Sequence, residues 1–148
     1  MNARISRDEK RQTYLKYNDF VSQIDINDIR IVSAKLDYLD YSYFPYNPAV
    51  SWRTKSWYEE KEEEFNVFHR YNVTVSDKET KEAKAKISVT FCVTYSSKLK
   101  INEEIFDIFT KRNLILNTWP YFREFIHNII GRMGWPPLIA PTYISVGG

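Results

Sequence analysis

His69, His127 and Cys92 are the side chains in this 148-residue sequence best suited to bond-making, together with the acidic run Glu59-Glu60-Lys61-Glu62-Glu63-Glu64. An imidazole can act as a general base, a thiolate as a nucleophile, and clustered carboxylates can hold a hard cation. None of these sets comes with the neighbours its chemistry needs. His69 falls on the apolar side of an alternating segment and His127 in the middle of an amphipathic one, where an imidazole hydrogen-bonded within the fold is the simpler reading. Cys92 has no basic residue close in sequence to stabilise a thiolate. One Cys and two His cannot build a zinc site without carboxylates, and the acidic run lacks the turn residues of a hard-ion loop, so it reads as a solvated patch. The glycines, Gly131, Gly134, Gly147 and Gly148, build no phosphate-binding loop. The chain is therefore expected not to be an enzyme, to need no cofactor or metal, and to work through its surface.

Composition sharpens that expectation. A chain with 43% apolar residues and this length fits one domain, residues 1–148, with a substantial core. Its 21 basic and 19 acidic residues leave a formal charge of +2, too weak a global field to gather nucleic acid or anionic membrane. No segment has the length of a membrane span, and the charged amino terminus lacks the apolar stretch of a secretion signal. With a single cysteine, these features point to the cytoplasm. Aromatic residues make up 16% of the chain, with 11 Tyr, 9 Phe and 4 Trp against only 4 Gly. That balance suits a sheet and a binding surface.

The periodicities predict the elements. Ser6 to Ile24 reads as a helix, with Ser6 and Glu9 in capping-box spacing and Tyr14, Tyr17, Val21 and Ile24 on one face. Period two from Asp28 to Tyr41 predicts a strand with Val32, Ala34, Leu36 and Tyr38 on one side. Tyr43 to Lys55, broken by Pro45 and Asn47-Pro48, reads as an irregular connection. Phe65 to Val75 and Ala83 to Tyr95 alternate cleanly around the polar turn Ser76–Thr80 and predict an antiparallel pair. Ile101 to Arg112 reads as a short helix. A longer one starts near Trp119-Pro120, capped by Thr118 or Asn117, carries Phe122, Ile126, Ile129, Ile130 and Met133 on one stripe, and stops at Gly134. The fold expected is α+β, a twisted antiparallel sheet with helices packed on one face.

The segment Trp119-Pro120-Tyr121-Phe122-Arg123-Glu124, followed by the Pro-rich loop Trp135-Pro136-Pro137-Leu138-Ile139-Ala140-Pro141, resembles the long-helix start and following loop of SecB-type protein-export chaperones. The resemblance extends over roughly Ile26 to Tyr143, with its specific residues in the last thirty. It implies a four-stranded sheet, assembly as a homo-oligomeric dimer of dimers, and ATP-independent binding of unfolded polypeptide clients, either preproteins or, as in toxin–antitoxin-associated members, an antitoxin. Oligomer contacts would use the outer face or edge of the sheet. Family members that engage the SecA motor carry acidic side chains on the outer sheet face, where this chain has Lys35, Leu39, Lys84 and Lys86, so delivery to SecA is not expected. The family's second carboxy-terminal helix has no counterpart in residues 142–148, leaving a groove that is more open or closed by the Ser6–Ile24 helix.

A surface that holds an unfolded chain needs extended apolar area with little demand on shape. Candidate client-binding residues are Tyr43, Phe44, Tyr46, Trp52 and Trp57 of the aromatic connection, with Trp135, Pro136, Pro137 and Leu138 of the post-helix loop. The same aromatics would serve equally to cap the sheet edge or fill a subunit interface, and Trp135 to close the helix end. A different class of reading is a sheet-and-helix domain enclosing a hydrophobic small molecule, which requires a closed apolar cavity.

Overall fold

Four extended segments form one antiparallel sheet: β1 (Ile24–Tyr38), β2 (Pro48–Glu60), β3 (Glu64–Asp77) and β4 (Ala83–Ser97), in the order β1-β4-β3-β2. This is seen in a computed structural model that describes residues 6–138. The central pair is the one whose alternation is cleanest. Val67, Tyr71, Val73 and Val75 of β3 and Ile87, Val89, Phe91 and Val93 of β4 all point to one side and are buried. At the β3–β4 turn the Asp77 carboxylate accepts from the backbone N–H groups of Glu79 and Thr80, both at 2.9 Å, and Lys81 takes a left-handed φ of 63°.

The strand β2 corrects the expectation of an irregular Tyr43–Lys55 connection. Its proline sits at the first strand position on a sheet edge, where a missing N–H breaks no ladder. Its inward positions mix Val50, Trp52 and Tyr58 with Thr54 and Ser56, which blurs the apolar period. Only Leu39 to Asn47 remains as connection. It spans the whole sheet at one end, because β1 and β2 are opposite edges.

The α1 helix (Arg7–Val21) begins with the expected capping box, Ser6 and Glu9 bonding reciprocally at 3.1 and 3.0 Å. Its buried residues are Tyr17 and Phe20, so Phe20 replaces Tyr14 on the inner face and Ile24 already belongs to β1. Phe20 lies against Phe65 of β3 and Phe109.

The long helix starts much earlier than Trp119. Asn102 caps α2 (Glu103–Phe109) by accepting from Ile105 N–H at 2.8 Å, and a π-helical turn, Thr110–Leu114, leads without a break into α3 (Ile115–Arg132). Pro120 therefore lies inside a helix. The carbonyl it leaves unbonded, four residues back, is on exposed Leu116, where water can serve it. Thr118 and Asn117 are not caps but pins to the sheet: Thr118 Oγ1 bonds both Leu114 O and the Tyr71 hydroxyl, and Asn117 Nδ2 donates to the Tyr95 hydroxyl at 2.8 Å. Burial raises the pKa of both phenols, so they remain neutral partners. The apolar stripe of α3 then closes the core, with Phe122 stacked on Tyr71 at 4.0 Å. Gly134 ends the helix at φ 77°, as expected.

His69 is a structural imidazole. It is 2% exposed, its Nδ1 is 2.6 Å from Ser56 Oγ, and its Nε2 has no hydrogen-bonding partner among the described residues. Burial lowers its pKa from 6.5 to about 4. Between those values the unfolded chain binds a proton that the native state refuses, so the contribution of neutral His69 is complete above the unfolded pKa and declines as pH falls toward 4. Denaturant melts at pH 7 and pH 4.5 should show wild type losing about 2–3 kcal/mol more than His69→Gln over that interval. Equal losses in the two proteins would remove His69 as the source.

Candidate functional site

The helical layer covers β3, β4 and the inner side of β2. Trp52 packs on Trp119 and Phe122 at 6.1 and 5.3 Å, and Tyr58 on Phe106 at 4.5 Å. On β1 the cover is incomplete. Ile24, Ile29 and Tyr38 reach the core, but Ile26, Ile31 and Leu36, on the same side of the sheet, are 48%, 46% and 41% exposed. Bulges between Ile26 and Asp28 and between Ile31 and Ser33 turn the strand locally, and Val32, expected to point inward with Leu36, falls at the second of them. The outer backbone edge of β1 pairs with no strand among the described residues. An uncovered apolar row beside a free strand edge is a surface on which an extended peptide can add backbone hydrogen bonds and bury alternate side chains.

The row leads into the β1–β2 connection, whose conformation is held by charge. Lys84 Nζ pairs with Asp40 at 3.1 Å and Glu82 at 3.5 Å and lies 5.3 Å from the Tyr43 ring centre. Ser42 bonds the Asp40 carboxylate from the other side, and these bonds, Ser42's first, lower the Asp40 pKa. Lys84 is thus committed to this connection. Next to it, Tyr38 accepts a hydrogen bond from Trp135 Nε1 at 2.6 Å and donates to Tyr43 O at 3.2 Å, while the Trp135 ring meets Tyr38 and Tyr43 edge-on. The post-helix loop is therefore locked onto both the end of β1 and the connection.

These contacts sort the expected client-binding residues. Phe44 and Tyr46 form a ring pair at 4.6 Å on the surface, Tyr46 being 88% exposed, and Pro136 and Pro137 are also exposed. Tyr43, Trp52 and Leu138 are half-buried against the core. Trp135 is 5% exposed and does not offer its ring as a groove wall, because Tyr38 and Tyr43 cover it. Trp57 is on the opposite side of the sheet from Trp52, an odd number of residues along the same strand, and stacks on Phe68. The exposed row Ile26, Ile31 and Leu36 was not anticipated. Its residues look like ordinary inward strand positions, and only the strand order reveals that the helices do not reach them.

The residues best suited to bond-making lie apart, His69 on the inner side of β3, Cys92 on the outer side of β4 and His127 on α3. His127 is exposed on α3, and Cys92 is buried on the outer sheet side, where burial raises its pKa despite Arg30. Among the described residues no group of three or more His, Cys, Asp or Glu could hold a metal ion, and no helix is long and apolar enough to cross a membrane. The space between sheet and α3 is filled by Tyr71, Phe91, Trp119 and Phe122. A depression of about 800 Å³ at the β2–β3 turn has a mixed lining, Glu60, Lys61, Glu62 and Lys98 beside Phe65, Leu99 and Ile101, and not a closed apolar shell. Truncating Trp135 to Ala should cost about 3–5 kcal/mol in denaturant melts, whereas Tyr46→Ala should stay within about 0.5 kcal/mol. A Trp135→Ala loss below about 1 kcal/mol would show the loop to be free of the core.

No protein-family model matches the chain, and no curated protein matches it. Among solved structures, the chain is similar to the Mycobacterium tuberculosis Rv1957 SecB-like chaperone in complex with a ChAD peptide from the Rv1956 HigA1 antitoxin, at a TM-score of 0.73 and 14% identity over 87% of this chain and 97% of that one. The four-stranded antiparallel sheet with helices on one face is thus a SecB-like fold.

Proposed function

We propose that this protein is a SecB-like, ATP-independent holdase that binds unfolded polypeptide along the uncovered side of β1 and the β1–β2 connection. The observation that carries the reading is the exposed apolar row Ile26, Ile31 and Leu36 beside a strand edge that pairs with no other strand among the described residues, continued in the chain by Leu39, Phe44 and Tyr46. A client strand laid on that edge would gain backbone partners, and the aliphatic and aromatic side chains would accept many sequences, since their contacts demand area and little shape. The antitoxin peptide bound by the similar structure supports a polypeptide client and makes antitoxin protection as natural a role as export. Lysines on the outer sheet face argue against delivery to SecA. In this reading the working form is a cytoplasmic homo-oligomer, with the dimer-of-dimers arrangement of SecB-type chaperones, and it performs no catalysis.

A near-stoichiometric amount of the protein should suppress aggregation of a reduced, unfolded client without nucleotide. Phe44→Ser combined with Tyr46→Ser should weaken client binding about tenfold while shifting the melting temperature by less than about 2 °C, because the ring pair is outside the core. Absence of suppression by the wild-type protein would contradict the proposal.

A further inference from the structure

The side of the sheet away from the helices carries its own pattern. Read across the four strands from β2 to β1, one row is Arg53, Asn72, Ser88, Lys35, and the next is Lys55, Arg70, Thr90, Ser33. Lys86 is on the same side, beside Thr74 and Asp37. Of the acids of this face, Asp28 pairs with Arg30 at 2.7 Å, Asp37 with Lys35 at 3.4 Å, and Glu59 accepts from Asn66 at 3.1 Å, while Asp25 and Glu64 share the row of Ser96 at the far end of the sheet from Arg53 and Lys86. Arg53, Lys55 and Lys86 are exposed and form no ion pair among the described residues. Arg70 is held in place, with Nε donating to Thr90 Oγ1 at 3.0 Å and its guanidinium 5.1 Å from the Trp57 ring centre. Its terminal N–H groups are left to bind an anion in a fixed orientation. A shallow depression of about 100 Å³, with Lys35, Lys86, Asn72 and Ser88 among its lining, adds hydroxyl and amide donors to the lysines.

The geometry points to the outer sheet face as a docking surface for an acidic polypeptide segment, whose carboxylates would meet Arg53, Lys55, Arg70 and Lys86. Charge complementarity names the occupant, and two features favour peptide over nucleic acid. Trp57 and Phe68 stack face to face at 10°, with Arg70 against Trp57, so the Trp57 ring is already engaged by both partners and is not a free platform for a base. The cationic rows also end at Glu59 and Asp28, and the turn beyond β2 carries Glu60, Glu62 and Glu63, which would repel a polyphosphate continuing past them. A short acidic segment ends before that boundary. This surface is separate from the client row on β1, which faces the helical side.

The test is binding of a fluorescent ten-residue oligo-glutamate peptide to the full chain at low and moderate salt. Wild type should bind it with an affinity that falls as salt rises. Arg53→Glu with Lys86→Glu should weaken it by at least about tenfold, while Lys10→Glu with Lys16→Glu on α1, an equal change of net charge, stays within about twofold. Binding of a reduced unfolded client should be unaffected by the first pair, which separates this surface from the client row. The inference is overturned if the peptide does not bind, if both pairs of substitutions weaken it equally, or if an oligo-dT of the same charge binds more tightly than the peptide.

Discussion

A single helical rod cannot cover a four-stranded sheet. Strands about 4.8 Å apart make a sheet roughly 19 Å wide, and one helix with its side chains spans about 10–12 Å. Here the rod is the continuous run from Glu103 to Arg132, and it lies toward β3 and β2, where Tyr71, Trp52 and Tyr58 meet Phe122, Trp119 and Phe106. The α1 helix adds cover only at the end where Tyr17 and Phe20 meet Phe65 and Phe109. Among the described residues, much of the helical side of β1 is left over. Its apolar residues are the consequence of a layer that is too narrow, and the functional reading depends on that one mismatch.

The remaining structure keeps the rod in that position. Thr118 to Tyr71 and Asn117 to Tyr95 are side-chain hydrogen bonds between α3 and the two central strands, made where an unsatisfied hydroxyl would cost about 1–3 kcal/mol. The π-helical turn before α3 inserts a residue's worth of rotation between the α2 face, which serves Phe106 and Phe109, and the α3 face, which serves Phe122 and Ile126. At the far end, Trp135 bonds Tyr38 and packs against Tyr43, so the loop after α3, the end of β1 and the connection move as one unit. Phe44 and Tyr46 are presented on that fixed base, so under the proposed function a client would lose less entropy in ordering them.

Much of this was legible in the sequence, and the failures have physical causes. β3 and β4 announced themselves because both are central and buried on one face, so their alternation is undiluted. β2 was hidden because its inner side is half hydroxyl, with Thr54 and Ser56 between Trp52 and Tyr58. Pro120 suggested a helix start because proline favours the first turn, but the α2 and π-helical segments before it had already nucleated the helix, and solvent relieved the lost hydrogen bond. Among the candidate site residues, Phe44 and Tyr46 are at the surface, whereas Trp57 and Trp135 are separated from it by strand parity and by burial. Neither strand order nor the reach of a helix is written in local periodicity, so the exposure of Ile31 and Leu36 could not be read there. Ile139 to Pro141 and the residues beyond lie outside the described residues.

Hydrogen exchange on the protein with and without a reduced, unfolded client tests the placement of the groove directly. If β1 receives the client, amides of Ile24–Tyr38 on the unpaired edge and of the Leu39–Asn47 connection should gain protection, while β3 and β4, already fully paired, stay unchanged. Protection confined to β2 or to α1, with β1 and the connection exchanging as before, would contradict the account.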